Sequence, residues 1–199
     1  MPYIVSVLMV VKDDRWLDEA LWSLVAQTYD SLEVVCLRDG GDGLTVGLNR
    51  AARLARSPRY LARLDADDLA YPGRIARQVA YLDANPDVVV CGTWAHRADA
   101  HGHLVGTSKP DPAWLPWRNP LIHSSVLMRR DAFETSGGYD ETLATCQDFD
   151  LWVRLLGMGR VAIIPEPWVI VREHAGQVSR RSWRRRWAQH CIRRRYARI

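Results

Sequence analysis

Apolar runs and helical repeats alternate along the first half of this 199-residue chain. Residues 3–11 form a continuous apolar run rich in β-branched side chains, which is typical of a strand buried on both faces of a sheet. Apolar residues then recur at helical spacing through residues 17–25, so a helix there has one apolar face. A strand followed by an amphipathic helix is the repeating unit of α/β proteins.

The same unit recurs before residue 95. The pattern predicts strands at 32–37, 60–64 and 87–94, and helices that begin near Thr45, as a capping residue, and near Pro72, in the first turn. This alternation predicts an α/β fold with a mainly parallel central sheet and helices on both of its faces.

Past residue 95 the pattern is less regular. Residues 96–121 are rich in Gly, Pro and His, which predicts a loop or a short hairpin. Beyond them we expect a strand at 124–128, a helix at 148–156 and two strands at 161–164 and 168–171. No internal repeat or low-complexity linker interrupts the chain, so we expect one folded domain.

The composition is that of an ordinary globular protein, with 48% hydrophobic and 25% charged residues. No segment reaches the ~20 apolar residues that a membrane-spanning helix needs. The apolar start lacks the basic flank and the cleavage site of a signal peptide. The four cysteines are scattered without paired spacing, which indicates neither a zinc site nor a disulfide framework. These features predict a cytoplasmic protein.

Positive charge is concentrated in one segment. Residues 180–199 contain nine arginines and no acidic residue, and Trp183, Trp187 and Cys191 repeat there at helical spacing. Since the whole chain carries +4 and this segment +9, the other residues carry −5. Two interpretations stay open. We expect a folded domain of residues 1–179, followed by a basic amphipathic helix at residues 180–199. This helix either lies on the anionic inner face of a membrane or packs its apolar stripe on the domain.

Three carboxylates stand close together directly after the predicted third strand. Asp65, Asp67 and Asp68 lie within four residues, at the strand end where open α/β sheets bind ligands. Carboxylates this close repel one another unless a cation lies between them. Mg²⁺ and Mn²⁺ prefer oxygen ligands and often bind through carboxylates together with substrate phosphates. The run indicates a metal that binds a diphosphate, and the alternative is an acidic loop that caps the next helix.

Short motifs follow one another along the chain in a specific order. They are residues 5–9, 17–29 and 33–40, the acidic run 64–68 with Pro72 and Arg74, and residues 123–126, 137–140, 147–155 and 172–174. Their joint order and spacing resemble the family 2 nucleotide-sugar glycosyltransferases of the GT-A fold, up to about residue 179. The resemblance implies a GT-A type, Rossmann-like fold. It also implies transfer of a sugar, with inversion and with Mn²⁺ or Mg²⁺, from a nucleoside-diphosphate sugar donor to a saccharide or lipid-linked acceptor.

The resemblance also implies roles for individual residues. Asp39 would hydrogen-bond the nucleotide base, Asp65 would lie near the ribose, and Asp67 would be the metal ligand. Asp148 would be the general base that takes the proton from the acceptor hydroxyl, and His174 would contact the metal or the diphosphate. The other predicted donor contacts are Val10, Lys12 and Ala66.

Simpler roles stay open for three of these positions. Asp148 could cap its helix, His174 could be structural, and Asp39 could shape the turn at Gly40. We expect Asp68 to serve the loop backbone and not the metal.

The chain departs from the family pattern around the expected nucleotide pocket. Departures from the family's usual residues occur at Val10, Lys12, Asp13, Arg38, Gly41 and Gln147. They leave the identity of the base open. They also keep a second function in view, a catalytically weak or inactive nucleotide-sugar-binding protein of the same fold.

Two other classes are disfavoured. A nucleic-acid-binding protein is suggested by the arginines, but they are confined to the last twenty residues and no basic stripe extends over the rest of the chain, so we expect no nucleic acid partner. A phosphatase that uses Asp-x-Asp would carry it at the end of the first strand, which here ends Val10-Val11-Lys12.

Overall fold

The structure, a computed structural model, describes residues 5–115, 117–143, 145–176 and 192. Its strands are β1 (Val5–Val11), β2 (Leu32–Arg38), β3 (Tyr60–Arg63), β4 (Leu69–Ala70), β5 (Val88–Ala98), β6 (Leu104–Ser108), β7 (Leu127–Arg129) and β8 (Arg160–Arg172). Its α-helices are α1 (Leu17–Val25), α2 (Leu44–Leu54), α3 (Arg74–Ala84), α4 (Arg130–Thr135) and α5 (Gln147–Leu156). Two 3₁₀ turns lie at Pro112–Trp114 and His123–Ser125.

The strands form one sheet in the order β2-β1-β3-β7-β5-β8-β4, with β6 beside β5. Parallel pairing joins β1 to β2 and to β3, and β5 to β8. The short β7 is antiparallel to both β3 and β5 and connects the two parallel groups. The predicted α/β class is confirmed. Because β1, β2 and β3 are parallel, their carboxyl ends meet at one edge of the sheet, which is where the acidic run begins.

Helices cover both faces of the sheet, as the alternation predicts. Side chains of β1 point to opposite faces in turn: Leu8 and Val10 belong to the buried cluster that includes α2, α4 and α5, whereas Val7 and Met9 belong to the cluster that includes α1 and α3. Each cluster buries the apolar stripe of its helices, which is the main source of stability for such layers.

Two predicted helix starts are wrong by one or two residues. Thr45 does not cap α2, because the helix begins one residue earlier and its capping residue is Gly43, at φ 91°. A carboxylate oxygen of Asp39 accepts a hydrogen bond from the Gly43 backbone N–H at 3.1 Å, which closes the preceding turn. Pro72 lies ahead of the capping residue of α3, Gly73, and not in its first turn.

The strands of the second half also differ from prediction. The two strands expected at 161–164 and 168–171 are one strand, β8. Its two prolines cannot donate to the ladder, but pairing with β5 continues past them through a shift of register, from Thr93 opposite Ile164 to Trp94 opposite Pro167. The strand expected at 124–128 is a 3₁₀ turn followed by β7. The hairpin expected within 96–121 is formed by β5 and β6.

Candidate active site

The loop between β3 and β4 brings three carboxylates together. Oxygens of Asp65, Asp67 and Asp68 all lie within 4.8 Å of one another. Burial disfavours the charged form of Asp65, but Arg63 and His123 outweigh it and lower its pKa. Burial and the charge of Asp65 raise the pKa of Asp67, and burial with both neighbouring charges raises the pKa of Asp68 well above its usual range. This donor set of crowded hard oxygens fits a divalent cation such as Mg²⁺ or Mn²⁺.

Two side chains, those of Arg63 and Ser124, hydrogen-bond the carboxylate of Asp65. The guanidinium of Arg63, which is fully buried, donates to Asp65. The Ser124 hydroxyl lies 2.8 Å from Asp65 and also contacts Asp68, and it accepts from the Asp65 backbone N–H at 3.1 Å. Since a hydroxyl has one proton, it can donate to only one of the two carboxylates at a time. Among the described residues, two nitrogens of Arg63 have no hydrogen-bond partner, so its charge is directed chiefly at Asp65.

The end of β8 closes the loop from the other side. The Arg172 backbone N–H donates to Asp68 at 2.9 Å and its Nε to the Asp67 carbonyl at 3.2 Å. His174 Nε2 lies 2.7 Å from an Asp67 carboxylate oxygen, while its Nδ1 accepts from the Gly176 backbone N–H at 3.2 Å. A neutral ring that accepts at Nδ1 carries its proton on Nε2, so His174 donates to Asp67. Its assignment as a metal ligand stays a prediction.

Asp39 lies in the turn after β2, and one of its carboxylate oxygens is used there. That oxygen accepts from the Gly41 and Gly43 backbone N–H groups at 3.0 and 3.1 Å. Both glycines have positive φ, 101° and 91°, which other residues rarely adopt. Asp39 therefore shapes the turn. Its second oxygen makes no hydrogen bond to any described residue.

The other predicted donor contacts differ in their exposure. Lys12 is exposed, and Ala66 is buried next to the acidic residues. Val10 is 6% exposed and packs in the core. A Cβ added at Gly47 would lie 2.9 Å from each of its two Cγ atoms. The Val10 side chain does not reach the surface. A contact between this position and the donor would therefore have to come from the Val10 backbone.

Asp148 is the second residue of α5, and both of its carboxylate oxygens have partners. One accepts from the Phe149 backbone N–H at 2.9 Å, and the other from Asn119 Nδ2 at 2.5 Å. Asn119 is itself fixed, because its side-chain oxygen accepts from the Leu121 backbone N–H at 3.1 Å. The capping residue of α5 is Cys146, in the left-handed region at φ 62°. Asp148 is therefore oriented by a neighbouring loop and is not the helix cap.

A buried polar cluster connects the acidic loop with α5. His123 Nε2 lies 2.8 Å from the Tyr139 hydroxyl. Burial and the nearby Arg63 charge lower the pKa of His123 to about 4, while Asp148 and Asp65 act in the opposite direction. Both carboxylates thus lie close enough to His123 to act on it electrostatically. Burial likewise raises the pKa of the Tyr139 hydroxyl. The predicted metal loop and the predicted base therefore border the same cluster.

Sequence reasoning missed four residues of this arrangement: Arg63, Asn119, Ser124 and Tyr139. Three of them had a signal, because Arg63 directly precedes the acidic run and Ser124 and Tyr139 lie in the recognised motifs. Asn119 had none, since it lies in the irregular stretch before residue 121. No helix within the described ranges is long and apolar enough to cross a membrane.

Comparison with known proteins places this geometry in context. Residues 37–139 match the model of the family described as Glycosyl transferase family 2. EpsE of Bacillus subtilis (strain 168), named as a glycosyltransferase, is 31% identical over 212 residues, which cover 90% of this chain and 76% of EpsE. The amylovoran biosynthesis glycosyltransferase AmsE of Erwinia amylovora is 30% identical over 150 residues, which cover 72% of this chain. This match spans 54% of the length of AmsE.

The fold resembles that of solved structures. TarS 1–349 of S. aureus, in complex with UDP-GlcNAc, superposes with a TM-score of 0.73 at 14% identity, covering 98% of this chain and 65% of that one. The same protein in complex with UDP gives 0.67 at 15% identity, over 85% of this chain and 60% of that one. The likeness confirms the predicted Rossmann-like α/β architecture with its central sheet.

Proposed function

This chain belongs to glycosyl transferase family 2, and on that premise we propose that it transfers a sugar from a nucleoside-diphosphate sugar to a saccharide or lipid-linked acceptor with inversion of configuration. One observation carries the proposal: a loop of three carboxylates and a separately oriented aspartate border the same buried cluster. The relative AmsE suggests polysaccharide synthesis, and the structural neighbour TarS suggests UDP as the first nucleotide to test.

The donor side of the site is the acidic loop. Asp67 would hold Mg²⁺ or Mn²⁺, which when bound neutralises charge on a diphosphate, and the neighbouring carboxylates of Asp65 and Asp68 would favour a cation there. Arg63 keeps Asp65 ionised from beneath, and His174 fixes the direction of the Asp67 carboxylate. Asp65 on its exposed side would lie near the ribose. The chain's own residues thus preset the donor geometry before the nucleotide binds.

The acceptor side is Asp148. Its carboxylate accepts the proton of the acceptor hydroxyl while that oxygen attacks the anomeric carbon. The new carbon–oxygen bond forms on the face opposite the bond to the diphosphate, which breaks with its electron pair, so the configuration inverts. Hydrogen bonds from Asn119 and from the Phe149 backbone limit rotation of the carboxylate, which favours one direction of approach.

A second candidate is a nucleotide-sugar-binding protein with little or no activity. The departures from the family's usual residues around the expected nucleotide pocket favour it. Arg38, at the position of a family Asp, forms an ion pair of 3.0 Å with Asp14 at the same edge. Binding of UDP without any sugar release in the presence of saccharides would support this candidate over the first.

The experiment that tests the metal assignment is calorimetry of UDP with and without Mn²⁺. Asp67→Ala should remove the metal-dependent part of the affinity, because its carboxylate lies in the three-oxygen set. Asp30→Ala is the matched control, an exposed aspartate before β2 that should bind as the parent does. Equal Mn²⁺-dependent affinities for Asp67→Ala and the parent would show the metal assignment to be wrong.

A further inference from the structure

The loop before residue 120 is anchored to the predicted base. Asn119 donates to Asp148 at 2.5 Å. Two residues earlier is Trp117, and two residues of chain span at most ~7 Å. The Trp117 backbone N–H donates to the Trp114 carbonyl at 2.7 Å, and the Arg118 N–H donates to the same carbonyl at 3.0 Å. These bonds hold the end of the loop as a compact turn beside Asp148.

The two indoles of this turn differ in what covers them. The Arg118 guanidinium lies over the Trp114 ring at 3.5 Å, so one face of that ring is occupied. Trp117 is 69% exposed. Within the described ranges, no hydrogen bond, ring contact or cation involves the Trp117 indole. An exposed aromatic side chain close to the predicted base has a large apolar area to offer a ligand.

The other aromatic side chains near the base cannot offer such a surface. Tyr139 and Trp152 both pack against His123 and are buried. An acceptor that presents a hydroxyl to Asp148 must therefore approach from outside the core. Trp117 is exposed, and it lies two residues from Asn119, which bonds Asp148 directly.

We propose that this turn is the acceptor-sugar subsite: the Trp117 ring is the platform on which the apolar face of the acceptor sugar stacks, and Asn119 is the positioning residue that directs Asp148 to its hydroxyl. This inference rests on the proposed function and deepens it by naming a saccharide as the occupant. Binding pockets combine aromatic walls with a few placed polar groups, and this turn supplies both.

The test is fluorine NMR of the full chain labelled with 5-fluorotryptophan. The chain contains nine tryptophans, and each gives a fluorine resonance. Trp117→Phe assigns the Trp117 resonance. Trp22→Phe assigns that of Trp22, a matched control that is 70% exposed on α1. Methyl glycosides of glucose, galactose and N-acetylglucosamine are then titrated with UDP and Mg²⁺ present. We expect at least one glycoside to shift the Trp117 resonance saturably and to leave that of Trp22 unchanged.

A second measurement shows whether Trp117 contacts the sugar or only supports the fold. In Trp117→Ala the glycoside-dependent shifts of all other resonances should be lost, while the shifts caused by UDP remain. Trp117→Phe, which keeps a ring, should retain part of the glycoside response. If UDP shifts resonances but no glycoside shifts the Trp117 resonance, the assignment of the acceptor subsite is wrong. The same holds if Trp117→Ala binds glycosides as the parent does. If UDP with Mg²⁺ shifts nothing, it is the proposed function that fails.

Discussion

At the scale of single residues, Asp148 differs from an ordinary aspartate at a helix start because both its oxygens are held. Asp148→Asn keeps the shape but cannot accept a proton, so nucleotide binding should survive while sugar transfer falls by about 10²–10⁴-fold. The measurement is the rate of UDP release from a UDP-sugar with acceptor, beside calorimetry of UDP. Asp18→Asn, at the second residue of α1, is the matched control and should transfer as the parent does. Full transfer by Asp148→Asn would remove this residue from the mechanism.

His123 makes stability depend on pH. Its pKa of about 4 in the folded protein lies below the ~6.5 of an unfolded chain. Between these values the unfolded state binds a proton that the native state does not, so the free energy of unfolding falls as pH drops from about 6.5 towards 4. His123→Gln should lose this contribution.

The measurement is the melting temperature at pH 7 and at pH 4.5. The drop should be smaller for His123→Gln than for the parent, whereas His101→Gln, at an exposed turn, should follow the parent. The comparison between variants is needed because the raised pKa values of Asp67 and Asp68 act with the opposite sign. Equal drops in the parent and His123→Gln would contradict a neutral buried imidazole.

At the scale of elements, α2 lies unusually close to β1 at one point. A Cβ at Gly47 would lie 2.9 Å from the Cγ atoms of Val10. Gly47→Ala should therefore destabilise the protein by about 1–3 kcal/mol through overpacking, although alanine is the better helix former. Adding Val10→Ala should recover part of this loss, because the new methyl then has room.

Chemical unfolding of the two single variants and the double variant gives the coupling free energy between positions 47 and 10. A double variant whose destabilisation equals the sum of the singles would show that the two elements are not in conflict at this contact.

Long elements were predictable because their periodicity is strong, and short ones were not. β1 is a continuous apolar run of seven residues apart from Ser6, and α5 has apolar positions at helix spacing over ten residues. β4 has two residues and α4 has six, too few for a period to be recognised. β8 was divided in two because prolines suggest a break, whereas the pairing with β5 tolerates a shift of register there.

The same contrast holds for the site. Asp65, Asp67 and Asp148 lie in motifs and could be identified from the chain alone. Asn119 could not, because its importance comes from a contact with a residue 29 positions away. Ser124 was expected in a strand, where its side chain would have had no defined relation to the acidic loop.

At the scale of the whole molecule, the predicted basic helix at 180–199 lies outside the described residues except for Ile192. Ile192 is 3% exposed in the cluster that includes α2 and α5. Ile192→Ala should therefore lower the free energy of unfolding by about 2–5 kcal/mol. Leu54→Ala, 56% exposed at the end of α2, should change it by less than about 0.5 kcal/mol.

Chemical unfolding measures both variants, and co-sedimentation with anionic vesicles at low and high salt tests the membrane alternative. If Ile192→Ala is no less stable than Leu54→Ala and the parent sediments with vesicles at low salt only, the membrane alternative is favoured.

The contacts between β8 and the acidic loop also fix when the site can exist during protein synthesis. Asp68 and Arg172 are 104 positions apart, and Asp67 and His174 are 107 apart. Among the described strands, β4 pairs with β8 alone. Since chains emerge from the ribosome amino end first, a nascent chain that reaches only α5 contains Asp148 but lacks the strand that closes the loop. The acidic loop can therefore be closed only after β8 has been synthesised, and a shorter nascent chain lacks the contacts that hold Asp67 and Asp68.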